Sequence, residues 1–290
     1  MKLLTKFNLI LLLLFATGGL VISQVLYRFL VDNAEREVLQ DAELMMASVN
    51  AVREYTSSDL RPLLERNPEH EKRFLPETVP AFGAITTFKE LKQHYPEYSY
   101  REATLNPTNP EHRATDWEAD IIAYLRDHPG QKQVNGQRHT AVGRSMYLAT
   151  PLSVSPRCLE CHSTPSAAPP AMIATYGSNN GFGWKAGSIV GAQIVSVPMS
   201  VPLQKASQAF HLLLAYLIGT LVVTIVVLDT AVYFIVIRPL KVVAEAADRA
   251  SKGEGDQVQL SVKGSDEVAA VTASFNRMQL SLAKAFKMLG

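Results

Sequence analysis

Cysteine is nearly absent from this chain: Cys158 and Cys161 are the two in 290 residues. One pair allows one bridge at most, which excludes a disulfide-stapled framework. Charge of one sign is lacking too. The 28 Lys and Arg stand against 27 Asp and Glu, for a formal net charge of +1, so nothing points to a nucleic-acid partner. No period of about 20–50 residues recurs, which excludes a repeat protein. There is no nucleophile elbow, no phosphate-binding loop and no metal-binding histidine pair, so an enzyme is not expected.

What the chain does have is two long apolar runs. Phe7 to Tyr27 carries no charge, and about 20 such residues match a membrane span. The run continues past the small residues Ala16, Gly18 and Gly19, which favours an anchor over a cleaved signal peptide. Lys2 and Lys6 precede it and Asp32, Glu35 and Glu37 follow, placing the N-terminus in the cytoplasm. The second run is Phe210 to Ile237, interrupted by Asp229. That carboxylate is read as lying near the cytoplasmic headgroups rather than acting at mid-bilayer. Arg238 and Lys241 follow, as at a cytoplasmic exit. The expected layout is a cytoplasmic start (1–6), a span (7–29), an external domain (30–209), a second span (210–237) and a cytoplasmic helical region (238–290). Both ends then face the cytoplasm of a bacterial cell, and the domain lies outside its inner membrane.

Both cysteines fall in Cys158-Leu159-Glu160-Cys161-His162. Two thiols three positions apart, followed at once by a histidine, form the attachment signature of a c-type haem. The thiols add to the two porphyrin vinyl groups, and the histidine falls under the ring, where its imidazole binds iron. The competing readings are a redox disulfide, half of a zinc site, or chance. Zinc would need ligands from elsewhere, and no second cysteine pair exists. An extracytoplasmic location favours one covalent haem c, because attachment takes place there.

Around this motif the pattern predicts few regular elements. Val31, Ala34, Val38, Ala42, Met45, Val49 and Val52 recur at three- and four-residue steps, predicting a helix from Val31 to about Glu65 that prolongs the first span. The Met45–Met46 pair is assigned to core packing rather than iron ligation. Asn67 to Thr115, with Pro76, Pro80, Pro96, Pro107 and Pro110, is expected to be long loops and short elements. Thr115 to Leu125 reads as one helix capped by Thr115 and ended by His128-Pro129-Gly130. Arg144 to Val154 alternates as a strand, with Met146, Leu148 and Thr150 on one face and Tyr147, Ala149 and Pro151 on the other. Ser163 to Gly187 is a loop able to fold over a cofactor, its large groups being Phe182 and Trp184. Ser188 to Val197 is a further strand.

The tail holds two short helices separated by Ser251 to Gly264. Val236, Leu240, Val243, Ala247 and Ala250 in the first, and Val268, Val271, Phe275, Met278, Leu282, Ala285 and Leu289 in the second, repeat in heptad fashion. Such seams call for partner helices, which a second copy supplies as a parallel four-helix bundle. With Pro239 after the span, Gly253 ending the first helix, Asp266-Glu267 opening the second and Phe275-Asn276-x-Met278 within it, this stretch resembles the HAMP linker of bacterial transmembrane receptors. The resemblance implies a homodimer that passes a small helix motion across the membrane. The simpler alternative is a coiled-coil stalk.

A second resemblance rests on four segments in order: Asn106-Pro107-x-Asn109-Pro110, Asp116-Trp117-Glu118, Cys158-x-x-Cys161-His162 and Gly187-x-Ile189-x-Gly191-Ala192. The set is similar to a family of periplasmic c-type-haem sensor domains, once known as a domain of unknown function and often fused to HAMP. It implies an α+β fold: a PAS-like antiparallel sheet with flanking helices and one haem against it. It also implies thioethers at Cys158 and Cys161 and His162 as proximal iron ligand. Some members fill the sixth iron position with a cysteine from the N-terminal helix, which this chain lacks. Tyr55 lies near the equivalent place, and His94, His139, Met146 and Met172 are the other candidates. Tyr147 and Arg144 are candidate haem contacts.

The expected function is therefore a dimeric inner-membrane haem sensor of redox state or of a diatomic gas (NO, CO or O2). It would signal through HAMP to a separate cytoplasmic output protein, since the sequence stops at Gly290 after the second HAMP helix. Two alternatives stand beside it: a membrane-anchored monohaem electron carrier, and a haem-free small-molecule receptor whose cysteines form a disulfide.

Overall fold

A computed structural model describes residues 3–141, 143–252, 259–262 and 264–289. Contacts divide the chain into Leu26–Phe210 and a second unit made of Met1–Val25 and His211–Gly290.

Helix α1, Leu3–Tyr55, runs without a break into a π-helical turn, Thr56–Leu60, and on into α2, Arg61–Glu65. Pro62 explains the wide turn. A proline lacks the N–H that an α-helix would direct at the carbonyl four residues back, and its ring crowds that carbonyl. Here the carbonyl is that of Ser58, inside the turn. The helix predicted from Val31 to Glu65 is this one, and Ala34, Val38, Ala42, Met46 and Val49 are its buried stripe.

The region expected to be mostly loop, Asn67 to Thr115, is more ordered than its prolines suggested. It contains α3 (Glu69–Lys72), α4 (Pro80–His94) and strand β1 (Ser99–Thr104). Pro80 occupies the first turn of α4, where its missing N–H has no partner to lose. Helix α5, Asp116–Asp127, starts with a capping box in which the Thr115 backbone N–H and hydroxyl both donate to Glu118 at 2.8 Å.

Four strands form one antiparallel sheet in the order β1-β4-β3-β2, with β2 at Val134–Thr140, β3 at Gly143–Ser153 and β4 at Ile189–Pro198. The pattern reading missed β2. The alternation read in β3 divides its residues between two cores. Met146 and Leu148 join Val38, Ala42, Met46, Val195 and Val197 beneath α1, while Ala149 joins Ile121, Ile122, Leu125 and Ile194 beneath α5. Both faces of the sheet are thus covered, and β4 in the middle is the most buried strand.

A polar group in that middle strand needs partners. Gln193 of β4 donates to Asn50 Oδ1 of α1 (3.2 Å) and to the Tyr100 hydroxyl (3.1 Å), and accepts from Thr150 (3.2 Å). Tyr100 donates to Glu102 at 2.7 Å, and Glu102 pairs with Arg53 of α1. Burial pushes the Tyr100 phenol well above its usual range.

After β3 the chain makes the short helix α6 (Leu159–His162), and after it α7 (Pro170–Tyr176) within the predicted loop. Beyond β4 runs α8, Ser200–Val232. A second π-helical turn follows, Tyr233–Ile237, again two residues ahead of a proline, Pro239. Helices α9 (Arg238–Ser251) and α10 (Glu267–Leu289) complete the chain. Asp266 caps α10 by accepting from the Ala269 N–H at 2.8 Å, and Asn276 holds the connector through both backbone groups of Leu260 (3.0 and 2.8 Å). The predicted helix end at Gly253 lies outside the described residues.

The apolar stretches in α1 and α8 are each long enough to cross a membrane, and their most apolar windows contain no buried residue. Leu20 illustrates this at 70% exposure, against 1% for Leu148. Leu148→Ala should destabilise the fold by about 2–5 kcal/mol, while Leu20→Ala should leave thermal unfolding of the full chain unchanged in detergent. Equal shifts in melting temperature would contradict this assignment of the core.

Candidate functional site

The site is built in the excursion between β3 and β4. Its neck is closed by two backbone bonds, Val154 N–H to Ser188 O (2.9 Å) and Gly187 N–H to Val154 O (2.8 Å). A tight 3-10 turn, Pro156–Cys158, leads into α6, so the motif forms one compact turn. Cys158 and Cys161 are both free thiols and half-buried. The Cys158 sulfur lies 3.3 Å from the Ser155 hydroxyl. Burial pushes the Cys161 thiol above its usual range.

His162 is the most constrained group of the three. Its Nδ1 donates to the Gly181 carbonyl at 2.7 Å, with the Thr108 hydroxyl 3.5 Å away. The imidazole stacks on Trp184 at 4.0 Å between centroids and 13° between planes. Burial lowers its proton affinity, opposed by the bond to Gly181. Pinning Nδ1 to a carbonyl fixes the tautomer and turns Nε2 into the available lone pair, which is how ligating histidines are set up. This arrangement requires Gly181: its φ is +84°, and an added Cβ would lie 2.0 Å from Thr108 Oγ1. Trp184 was noticed in the sequence only as a large group in a loop. Thr108 is the middle residue of Asn-Pro-x-Asn-Pro, so that segment props the histidine.

The turn is also fastened to the end of the long helix. Arg157 donates to the Ser57 carbonyl in the π-helical turn at 3.0 Å. Arg61 of α2 bridges Glu65 (2.6 Å) and Glu160, the latter inside the motif. Sequence reasoning missed Arg61 and Arg157; nothing local marks an arginine whose partners are about 100 residues away. Tyr55 ends α1 just ahead of this junction and is 60% exposed. Met172, in α7, is buried.

The remaining candidates are not brought to the turn. Met146 is seven residues up β3 from Ser153, roughly 23 Å at ~3.3 Å per residue, and is buried in the core beneath α1. Arg144 lies farther still and is 3.6 Å from Glu35 of α1. His139 pairs with Arg144 in the β2–β3 ladder. Tyr147 packs edge-on against Trp117 of α5. His94 closes α4 just before β1 begins at Ser99, which pairs with Ser196 toward the opposite end of the sheet. Alternation along a strand identifies a face but not a position along the sheet, so these residues looked closer than they are.

An α+β domain with a Cys-x-x-Cys-His turn, joined to two apolar helices long enough to span a membrane and to a paired-helix tail, has the layout of a membrane receptor. Residues 31–198 match the Tll0287-like family and residues 233–284 match the HAMP domain. The chain belongs to the Tll0287-like family and carries a HAMP domain after it. Among solved structures, the crystal structure of the cyanobacterial heme-protein Tll0287 is similar at 16% identity and a TM-score of 0.44, over 56% of this chain and 95% of that one. Among curated proteins none matches.

Because thiolate is the reactive form of cysteine, a raised Cys161 thiol holds less thiolate at a given pH. In protein prepared with unattached cysteines, alkylation at Cys161 should set in at higher pH than in an unstructured peptide of the same motif. Mass spectrometry of the two cysteines across a pH series checks this; the same onset in both would contradict it.

Proposed function

We propose that this chain is a membrane receptor that carries one covalent haem c outside the cytoplasm and signals through its HAMP domain to a separate cytoplasmic protein. The observation that carries this reading is the pinned His162, with Nδ1 on a carbonyl, its ring against Trp184 and two unbridged thiols on the same turn. These residues fit the group. Cys158 and Cys161 form the thioethers, and His162 Nε2 binds iron while Gly181 and Trp184 hold its ring. A bound haem supplies one-electron chemistry and an iron position for a sixth ligand. Tyr55, at the end of α1, and Met172, in α7, are the candidates taken forward for that position. The signal is redox state or a diatomic gas (NO, CO or O2).

The spans are 7–29 and 210–237, with 30–209 periplasmic and both ends cytoplasmic, on the charge pattern of the flanks. Two copies pair through HAMP. Within one chain, Ala246, Ala269, Thr272 and Phe275 are buried, whereas Val271, Met278 and Leu282 of the heptad seam are 47–51% exposed. A second seam covers such a stripe. The role is signalling, not catalysis.

Expression with a periplasmic cytochrome-maturation system should give a membrane protein with a c-type reduced-minus-oxidised spectrum. Cys158→Ala with Cys161→Ala should abolish covalent attachment, and Trp184→Ala should retain the thioethers but alter the axial-ligand bands in resonance Raman spectra. A colourless wild-type protein would overturn the reading. Rapid electron exchange with a quinone pool, with HAMP cross-linking indifferent to the iron state, would favour the electron carrier instead.

A further inference from the structure

Asp229 was left without a role by the sequence and has none in the haem reading. It is the one carboxylate in the apolar run from Phe210 to Ile237, and Phe7 to Tyr27 contains no Asp, Glu, Lys or Arg at all. A polar contact joins the two runs: the Asn8 side-chain amide donates from Nδ2 to Asp229 Oδ2 at 2.8 Å. The other two oxygens, Asn8 Oδ1 and Asp229 Oδ1, are both buried and have no hydrogen-bond partner. The basic residues flanking the pair along the chain are Lys6 and Arg28 on α1, Lys205 and His211 on α8, and Arg238 at the start of α9. Arg238 lies over the Phe234 ring at 6.0 Å, and among the described residues no ion pair joins Asp229 to Lys6, Arg28, Lys205 or Arg238.

A carboxylate held by one amide N–H between apolar helices, beside a second buried acceptor that also lacks a donor, is a poor arrangement even toward the cytoplasmic edge of a membrane. One hydrogen shared between those two oxygens would remove both deficits. We infer that the Asn8–Asp229 pair is a proton-binding site. The proton sits on Asp229 Oδ1 and is donated to Asn8 Oδ1, while Asn8 Nδ2 donates to Asp229 Oδ2. The two side chains then form a closed acid–amide pair with two hydrogen bonds and no net charge. The pair sets the register of the two helices, because a slide of one residue along either separates the side chains. Loss of the proton opposes two bare oxygens and removes that lock. The proposal rests on α1 and α8 crossing a membrane; it does not depend on the haem.

Infrared spectroscopy of the full chain in lipid vesicles at neutral pH, with and without carbon-13 aspartate, tests it. A protonated-carboxyl carbonyl band that shifts with the label, is lost in Asp229→Asn and moves to higher frequency in Asn8→Leu is the expected result. Modification of wild-type Asp229 by a hydrophobic carbodiimide, located by mass spectrometry, gives a readout that needs no variant. Absence of the aspartic-acid band together with absence of carbodiimide modification overturns the proposal. So does a band seen only after sodium is removed, which would assign the site to a metal cation. Labelling of Asp229→Cys by a membrane-impermeant thiol reagent overturns the membrane reading instead, and the proposal with it.

Discussion

Strand β4 is hydrogen-bonded along both edges and covered on both faces, and the domain takes its form from that double enclosure. Its two outer neighbours, β1 and β3, have to run antiparallel to it, and its two faces require the long N-terminal helix on one side and the capped helix after Thr115 on the other. Close approach follows from the same crowding: at Gly191 a Cβ would come within 2.3 Å of the Ala103 carbonyl. So does the polar network. Gln193 has no route to water, and its satisfaction draws residues from α1, β1 and β3 into one set of bonds. A fully satisfied network of this kind specifies which face of α1 meets the sheet more sharply than apolar contact alone.

The site inherits its rigidity from this frame. The strands that bracket the Cys-x-x-Cys-His turn are fixed, so the ends of the excursion are fixed too, and the backbone bonds between Val154 and residues 187–188 narrow the opening. Within it, short-range chemistry does the rest. A carbonyl, a hydroxyl and an indole define the orientation of one imidazole, and two arginines tie the turn to the helix end. The motif is thus coupled to α1 as well as to the strand that leads toward α8.

Much of the fold was legible where local rules dominate. The Thr115 cap is a local contact, the stripe on α1 is periodic over many turns, and the alternation in β3 separates two real faces. Legibility failed where a cue had two meanings. Prolines at 76, 80 and 96 were read as loop, yet Pro80 starts a helix of 15 residues. Strand β2, with Asn135, Gly136, Gln137 and Arg138, has little apolar pattern because it is an edge strand with alternating exposure. At the site, the three motif residues stood out because Cys-x-x-Cys-His is a signature read from local spacing alone. Gly181, Thr108, Arg61 and Arg157 did not, since their roles exist only after distant segments have folded together.

The two π-helical turns share a cause: each widens the helix just before a proline that an ordinary turn would not accommodate. Thr56–Leu60 sits where the Cys-x-x-Cys-His turn is fastened, and Tyr233–Ile237 opens the HAMP stretch. Each carries one surplus residue, and a helix advances about 100° per residue. Deleting a single position from either turn would therefore change the rotational phase between the helical segments that flank it without shortening the rod by more than about 1.5 Å. Loss or gain of one amino acid there is a change of angle rather than of length.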